Sequence, residues 1–166
     1  GSTGGMDIER IKVNKRNSYR KKTRENLHIG ESEFVVGFGG RITKDKGNEE
    51  LVRAFLKLNR KAKLLLIGEI EESNHLSPDV LDDLKSVPDI ILYPFVTDIE
   101  KYYAAIDCLV LPSYREGFGN VVMEAGAMGT GAIVSNIPGP KEIIEKIGGN
   151  VCNVKDINSL ISCMRN

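Results

Sequence analysis

The sequence lacks several features that mark particular classes of protein. Its 166 residues contain 23 basic and 23 acidic side chains, so the formal net charge at pH 7 is zero. A chain without net charge has no overall field that attracts nucleic acid. No apolar run reaches the roughly 18 residues that a membrane span needs, and residues 1–10 do not have the pattern of a signal peptide. We therefore expect no nucleic-acid partner, no membrane-spanning helix and a cytoplasmic location.

Cysteine and histidine are also scarce. The three cysteines, Cys108, Cys152 and Cys163, cannot all pair with one another, and two of them lie in apolar runs, which favours buried free thiols. The two histidines, His28 and His75, lie in segments that we interpret as solvated loops. Because the sequence has neither an Asp-x-Asp motif nor a cluster of histidine and cysteine, we expect no metal site.

Charge is unevenly distributed along the neutral chain. Between residues 7 and 28 there are eight basic and three acidic residues, a local charge of +5. This pattern predicts a basic helix within residues 10–24, which either contacts anionic lipid or a phosphate-rich partner, or is a solvated segment that leads into the domain. The segment has too few apolar residues for a membrane-facing stripe, which favours the second interpretation.

From residue 34 onward, short apolar runs alternate with longer amphipathic segments. Strands are predicted at residues 34–40, 63–67, 89–96, 107–111, 131–136 and 150–154, with a helix after each of them. Strands that are apolar at nearly every position are buried on both faces, as in a parallel sheet covered by helices. The pattern therefore predicts an α/β fold, a doubly wound parallel sheet with helices on both faces. In this architecture ligands bind beyond the carboxyl ends of the strands.

The loop after the first strand, residues 39–47, combines glycines with cations. Gly39 and Gly40 allow the backbone to approach a ligand closely, while Arg41 and Lys46 place positive charge beside it, which suits a diphosphate. The alternative is an ordinary glycine turn with exposed cations. The loop matches neither the dinucleotide fingerprint, because Ile42 occupies the last glycine position, nor a P-loop.

The loop after the fourth strand, residues 113–120, is more informative. Its glycines precede a helix whose first N–H groups would be open to phosphate or sugar oxygens. Glu116 before the helix and Glu124 inside it can each accept hydrogen bonds from neighbouring hydroxyls, such as those of a sugar or ribose. For Glu124, a surface position on an amphipathic helix is the alternative. A third loop, residues 136–143, is interpreted as a turn into a helix with a mainly structural role.

Glu116 and Glu124 are separated by seven residues, and this resembles the E-x7-E motif of retaining glycosyltransferases of the "group 1" family (family four), which have the GT-B fold. Residues 40–47 resemble the G-R-…-K-G loop of that family, residues 92–98 its base-binding strand end, and residues 112–119 its E-G-F-G loop. Residues 131–144 resemble its strand, G-G-x-x-E and helix segment. The motifs occur in order across residues 34–155.

The resemblance implies a Rossmann-like donor domain, one half of a GT-B fold, that binds a nucleotide-sugar. Arg41 and Lys46 would bind the donor diphosphate and stabilise it as it leaves, and Glu116 would contact hydroxyls of the donor sugar. Glu124 would bind the ribose, and the backbone near Val96 would contact the base. The remaining expected binding residues are backbone positions of the two loops: Gly39, Gly40, Gly117, Phe118, Gly119 and Asn120.

The resemblance also implies what the chain would do and what it would need. We expect the donor-binding domain of a metal-independent enzyme that uses a UDP- or GDP-sugar as substrate and needs no cofactor. The expected pathway is polysaccharide biosynthesis, of a capsule or of the cell envelope. Residues 1–33 would be an interdomain linker and basic leading helix, with residues 4–10 resembling the family's domain junction, and residues 34–166 the donor domain. The missing partner would be an N-terminal acceptor-binding domain, so the chain alone should be inactive.

Peripheral association of the full-length enzyme with the inner face of a membrane is a further expectation. Two alternatives stay open at this point: a fragment of a GT-B epimerase acting on UDP-sugars, and a non-catalytic nucleotide-binding module.

Overall fold

The computed structural model describes residues 13–166, so the junction-like residues 4–10 lie outside the described part of the chain. A short 3-10 turn (Val13–Lys15) leads into the first helix. The helices are α1 (Arg16–Asn26), α2 (Asn48–Leu56), α3 (Pro78–Ser86), α4 (Ile99–Ala105), α5 (Asn120–Ala127), α6 (Pro140–Ile147) and α7 (Ile157–Arg165). The strands are β1 (Phe34–Gly39), β2 (Ala62–Ile67), β3 (Ile90–Tyr93), β4 (Cys108–Leu111), β5 (Gly131–Ser135) and β6 (Asn150–Cys152).

The six strands form one parallel sheet in the order β3-β2-β1-β4-β5-β6. Helices α2, α3 and α7 pack together, whereas α4 packs between α1 and α5. The predicted doubly wound α/β fold with a parallel sheet is confirmed. Strand order reverses between β1 and β4, which pair side by side with Val36 opposite Cys108. A ligand crevice is expected at this switch point, beyond the carboxyl ends of these two strands.

The core consists of the strand residues that the sequence marked as apolar. Val35 and Val36 of β1, Val110 of β4 and Val134 of β5 are fully buried, as are residues 64–66 of β2. The inner strands β1, β2, β4 and β5 are buried at nearly every position, whereas the edge strands β3 and β6 are partly exposed. Close packing around the inner strands holds their ends, and the loops that follow them, in place.

Strand β3 is shorter than predicted. The apolar run predicts a strand over residues 89–96, but β3 ends at Tyr93, opposite Ile67, which is the last residue of β2. Beyond that point β2 offers no partner, and Pro94 has no backbone N–H to continue the ladder. Residues 94–96 therefore leave the sheet, and Phe95 and Val96 line the adjoining crevice.

The basic segment forms helix α1, and two of its arginines bond to the body of the domain. Arg24 is fully buried, and its guanidinium donates to the backbone oxygens of Ala105, Gly30, Glu31 and Glu33 and to the carboxylate of Asp107. Arg20 donates to the other Asp107 oxygen at 2.6 Å. The expectation of a solvated segment is therefore wrong for Arg24, while Arg20 is half-buried; both arginines attach α1 to the start of β4.

Candidate functional site

A groove lies at the switch point of the sheet, between the loops that follow β1 and β4. It consists of two adjoining cavities, of about 260 and 340 Å³, that share Gly39, Gly40 and Val121 in their walls. Because these residues are common to both cavities, a ligand longer than either one can extend through the pair.

The smaller cavity is mostly apolar. Besides the two shared glycines, its walls come from the end of β2, the irregular residues after β3, and helices α4 and α5: Ile67, Phe95, Val96, Ile99, Tyr103, Val121 and Glu124. Phe95 is 72% exposed, an unusual state for a phenylalanine, and its ring stands at the mouth of the cavity. Glu124 is the one carboxylate in this lining. An apolar pocket with one acceptor group is suited to a flat ring attached to a hydroxyl-bearing group.

The larger cavity is lined by charged side chains and glycines. Lys46 Nζ lies 3.1 and 3.0 Å from the two carboxylate oxygens of Glu116. This ion pair joins the β1–α2 loop to the β4–α5 loop. These side chains are only 21% and 16% exposed, so solvent screens this ion pair incompletely. Arg41 also lines the cavity, but its ion pair with Glu71 (2.6 Å) is at the surface, where Arg41 is 69% exposed. A surface pair of this kind is worth at most about 1 kcal/mol, so Arg41 can exchange Glu71 for another anion.

The β1–α2 loop is tightly packed against the β4–α5 loop. Gly47 has a positive φ of 75°, and a Cβ at this position would overlap the Pro112 carbonyl, so only glycine fits. The Tyr114 N–H donates to the Asp45 carbonyl at 2.9 Å. Lys46 and Glu116 are therefore held by two segments that contact each other along their length.

Tyr114 adds a second connection between these loops and the rest of the domain. Its hydroxyl donates to the Glu50 carboxylate of α2, at 2.7 and 2.9 Å from the two oxygens, and Lys155 Nζ lies 4.6 Å from the centre of its ring. Burial, and then the hydrogen bond to the Glu50 carboxylate, raise the pKa of Tyr114, so the hydroxyl keeps its proton and remains a donor.

The E-G-F-G segment enters α5 through Gly119, which has a positive φ of 76° at the position before the helix. The third loop supports this segment from behind. A Cβ on Gly139, whose φ is 95°, would overlap the Gly117 carbonyl, and Pro140 lies against Gly119. The third loop thus contacts the site loop through the Gly139 backbone and the Pro140 ring, and it lines neither of the two cavities. Its structural role stays a prediction.

The structure brings together all eleven residues that the sequence nominated. Gly39, Gly40, Val96 and Glu124 line the smaller cavity, and the larger one is lined by Gly39 and Gly40 again with Arg41, Lys46, Glu116, Gly117, Phe118, Gly119 and Asn120. Their individual roles remain predictions. The sequence did not identify Phe95, Ile99 or Tyr103 as cavity residues, because an apolar residue on a strand end or helix carries no signal that separates core from pocket.

Other expectations concern residues away from the groove. His28 and His75 are both exposed, as predicted for loop residues, and Cys108, Cys152 and Cys163 are free thiols. Within residues 13–166, no three His, Cys, Asp or Glu side chains are grouped so that they could hold a metal ion. None of the helices in the same range has the length and apolar character needed to cross a membrane.

A family model described as "Glycosyl transferases group 1" matches residues 19–165, nearly the whole chain. The chain belongs to this family. The match begins within α1, so the family pattern includes the helix that Arg24 attaches to β4. The resemblance drawn from the E-x7-E motif and its neighbouring loops is thereby confirmed at the level of the family.

Two curated relatives illustrate the range of the family. The chain is 34% identical over 143 residues to the capsular polysaccharide biosynthesis glycosyltransferase CapM of Staphylococcus aureus. This alignment covers 84% of this chain and 36% of CapM. It is 30% identical over 161 residues to the D-inositol 3-phosphate glycosyltransferase of Mycobacterium ulcerans, covering 93% of this chain and 34% of the relative. The chain thus spans about a third of the length of the curated relatives it matches.

Solved structures show the same fold. The Anabaena protein HepE, crystallised in complex with UDP and glucose, superposes with a TM-score of 0.83 at 24% sequence identity, over 97% of this chain and 45% of HepE. The sheet and helices described above are therefore one Rossmann-like half of the GT-B fold.

Proposed function

We propose that this chain is the donor-binding domain of a retaining glycosyltransferase that transfers a sugar from a UDP- or GDP-sugar to a glycan or lipid-linked acceptor. The observation that carries the proposal is the groove itself: an apolar cavity with one carboxylate continues into a cavity that holds a Lys46–Glu116 ion pair at a strand-order switch point. A nucleotide-sugar has the same succession of parts, a base, a ribose, a diphosphate and a polyhydroxylated ring.

The smaller cavity takes the nucleoside. The base lies beside the backbone of Val96 and near the exposed ring of Phe95, and its flat face suits this apolar wall. Glu124 accepts hydrogen bonds from the ribose hydroxyls, since a carboxylate has acceptor positions on both oxygens for a vicinal diol. HepE has been solved with UDP and with UDP-glucose, which supports a nucleotide-sugar as the ligand of this fold.

The larger cavity takes the diphosphate and the sugar. Arg41 and Lys46 neutralise the diphosphate, whose negative charge grows as the bond to the sugar breaks, so both cations stabilise the leaving group. In this role they replace a metal ion, and neither a metal nor a cofactor takes part. Glu116 accepts from sugar hydroxyls, assisted by the backbone N–H groups of Phe118, Gly119 and Asn120.

The acceptor enters from the same face of the sugar that the diphosphate leaves, which retains the anomeric configuration, and the departing phosphate takes the acceptor proton. Because the chain spans about a third of its curated relatives, a second domain supplies the acceptor site, and this chain alone binds donor without turnover. Its similarity to CapM, a capsular polysaccharide biosynthesis glycosyltransferase, supports a glycan acceptor. The enzyme works in the cytoplasm, peripherally at the inner membrane face.

Titration calorimetry with UDP, GDP, ADP and inorganic pyrophosphate tests the proposal. We expect at least one nucleoside diphosphate to bind, and Lys46→Ala to weaken both that nucleotide and pyrophosphate by about tenfold or more, because a charge-assisted hydrogen bond contributes about 1.5–3 kcal/mol. Lys44→Ala is the matched control, since Lys44 is an exposed lysine of the same loop that lines neither cavity.

Two results contradict the proposal. Absence of binding by every nucleotide at millimolar concentration, in protein that circular dichroism shows to be folded, contradicts donor binding itself. Equal effects of Lys46→Ala and Lys44→Ala contradict the assignment of the diphosphate to the larger cavity.

A further inference from the structure

A chain of buried hydroxyl groups leads from the sheet to Glu116. Ser135 is the last residue of β5 and Ser113 is the second residue after β4, and both are fully buried. The Ser135 hydroxyl donates to the backbone oxygen of Ser113. The Ser113 hydroxyl in turn donates to Glu116 Oε2 at 2.9 Å. Buried hydroxyls are costly unless they are hydrogen-bonded, so both bonds are built into the packing of this region.

The Glu116 carboxylate is therefore held by two different groups, a buried serine hydroxyl on one side and a lysine ammonium on the other. On the inner side, Oε2 accepts from Ser113, which is fully buried and packed among its neighbours. On the cavity side, Lys46 Nζ contacts both oxygens. A lysine ammonium sits on a flexible four-carbon stem and can turn to another anion, whereas the serine hydroxyl has no such freedom.

We propose that Ser113 is a positioning residue for Glu116, and that its hydroxyl keeps the carboxylate in place when Lys46 turns to the diphosphate of a donor. This inference rests on the proposed function, in which Lys46 binds the diphosphate and Glu116 the sugar. Departure of Lys46 frees Oε1 to accept a hydrogen bond from a sugar hydroxyl, while Oε2 stays bonded to Ser113. Ser135 fixes the backbone of Ser113 and thereby the direction of its hydroxyl.

The proposal separates two ligands that share a diphosphate. A nucleoside diphosphate binds Lys46 through its phosphates but carries no donor sugar that could contact Glu116. Its affinity therefore does not depend on the orientation of the Glu116 carboxylate. A nucleotide-sugar requires the carboxylate in one orientation. Without the Ser113 hydroxyl, Lys46 is the remaining contact of the Glu116 carboxylate described above. When Lys46 turns to the diphosphate, the carboxylate is then no longer held in one orientation. Only the affinity for the ligand that carries a donor sugar, the nucleotide-sugar, is then reduced.

Calorimetry on the full chain tests this with nucleotide and nucleotide-sugar pairs: UDP with UDP-glucose, UDP-galactose and UDP-N-acetylglucosamine, and GDP with GDP-mannose. The measured quantity is the affinity of the best-bound nucleotide-sugar divided by that of its nucleotide. We expect Ser113→Ala to lower this ratio about tenfold and to leave nucleotide affinity within about twofold, as a lost hydrogen bond to a charged group predicts. Ser113→Thr, which restores a hydroxyl, should recover the ratio at least in part.

Tyr114→Phe is the matched control. It removes a hydroxyl from the next residue of the same loop, but that hydroxyl bonds Glu50 and not Glu116. We expect Tyr114→Phe to change stability and to leave the affinity ratio unaltered. In a Glu116→Gln background, Ser113→Ala should have little further effect on the ratio, because two residues that act through one contact are not additive.

Several outcomes would overturn the inference. If Ser113→Ala weakens nucleotide and nucleotide-sugar equally, Ser113 only maintains the loop; if it changes neither, its hydroxyl has no role in binding. If Ser113→Ala does not fold, Ser135→Ala must lower the ratio in the same direction, and an unchanged ratio there contradicts the proposal. Failure of the unsubstituted chain to bind any nucleotide refutes the proposed function instead, so the two failures are distinguishable.

Discussion

Replacement of Arg24 by methionine should destabilise the domain far more than its position on a basic surface helix suggests. The Arg24 side chain is only 1% exposed, it forms an ion pair with Asp107 at 3.1 Å, and it satisfies four backbone carbonyls. Removal of one partner of a buried ion pair costs about 3–5 kcal/mol. Asp107 keeps Arg20 and the Val35 N–H, so the loss here comes mainly from the four carbonyls that Arg24 leaves without a donor. The total stability of a domain is about 5–15 kcal/mol, so much of it would be lost.

Urea denaturation followed by circular dichroism measures this free energy of unfolding. Lys21→Met on the same helix is the matched control, since Lys21 is exposed and its replacement should change stability by no more than about 0.5 kcal/mol. A loss below about 1 kcal/mol for Arg24→Met, or equal losses for the two variants, would refute the view that Arg24 anchors α1 to the start of β4.

The same ion pair predicts a dependence on pH. Burial alone would raise the pKa of Asp107, but the hydrogen bonds from the Val35 N–H and Arg20, with the positive charges of Arg20 and Arg24, lower it below the ordinary value of 3.8. A carboxyl with a lowered folded-state pKa stabilises the fold above its unfolded pKa, and this contribution is lost as the pH falls through the folded-state pKa. The difference in stability between wild type and Arg24→Met should therefore be largest near neutral pH and shrink below about pH 3.8.

Two further predictions concern the groove and the thiols. Glu124→Ala should weaken nucleoside diphosphate binding about tenfold and leave pyrophosphate binding unchanged in calorimetry, because it removes the ribose contact alone; equal losses for both ligands would contradict this role. Burial raises the pKa of Cys108 and of Cys152 to about 12, from an ordinary value of 9.0, so iodoacetamide at pH 8 should alkylate them far more slowly in folded than in urea-unfolded protein. Mass spectrometry that finds Cys152 rapidly modified in the folded state would contradict the packing around β6.

The sequence predicts the sheet well, because strands buried on both faces must be apolar at nearly every position. It predicts the site residues for a different reason: Arg41, Lys46, Glu116 and Glu124 are charged residues in or next to glycine-rich loops that follow apolar strands, and parallel strands bring such loops to one edge. Both signals are local: each can be recognised in a short stretch of sequence, without knowing which distant residues lie next to it in the fold.

What the sequence does not predict depends on contacts between distant residues. Arg24 has the same local context as the exposed Lys21 and Lys22, and it is buried because it meets distant partners, among them Asp107, 83 residues away. Ser113 is one small polar residue in a loop, and its role becomes visible only when Glu116 and Ser135 are placed around it. The end of β3 at Tyr93 is set by the length of β2, which the residues 89–96 do not encode.

The pairing of β1 with β4 has a consequence for how the chain folds. These strands are neighbours in space, but the paired residues Val36 and Cys108 are far apart in the sequence. Contacts that close so long a loop form slowly and contribute little until the intervening β2 and β3 units are in place. Because the two walls of the groove follow these two strands, no partly folded form that lacks this pairing contains the groove. Nucleotide binding during refolding would therefore report the moment at which the two halves of the sheet join.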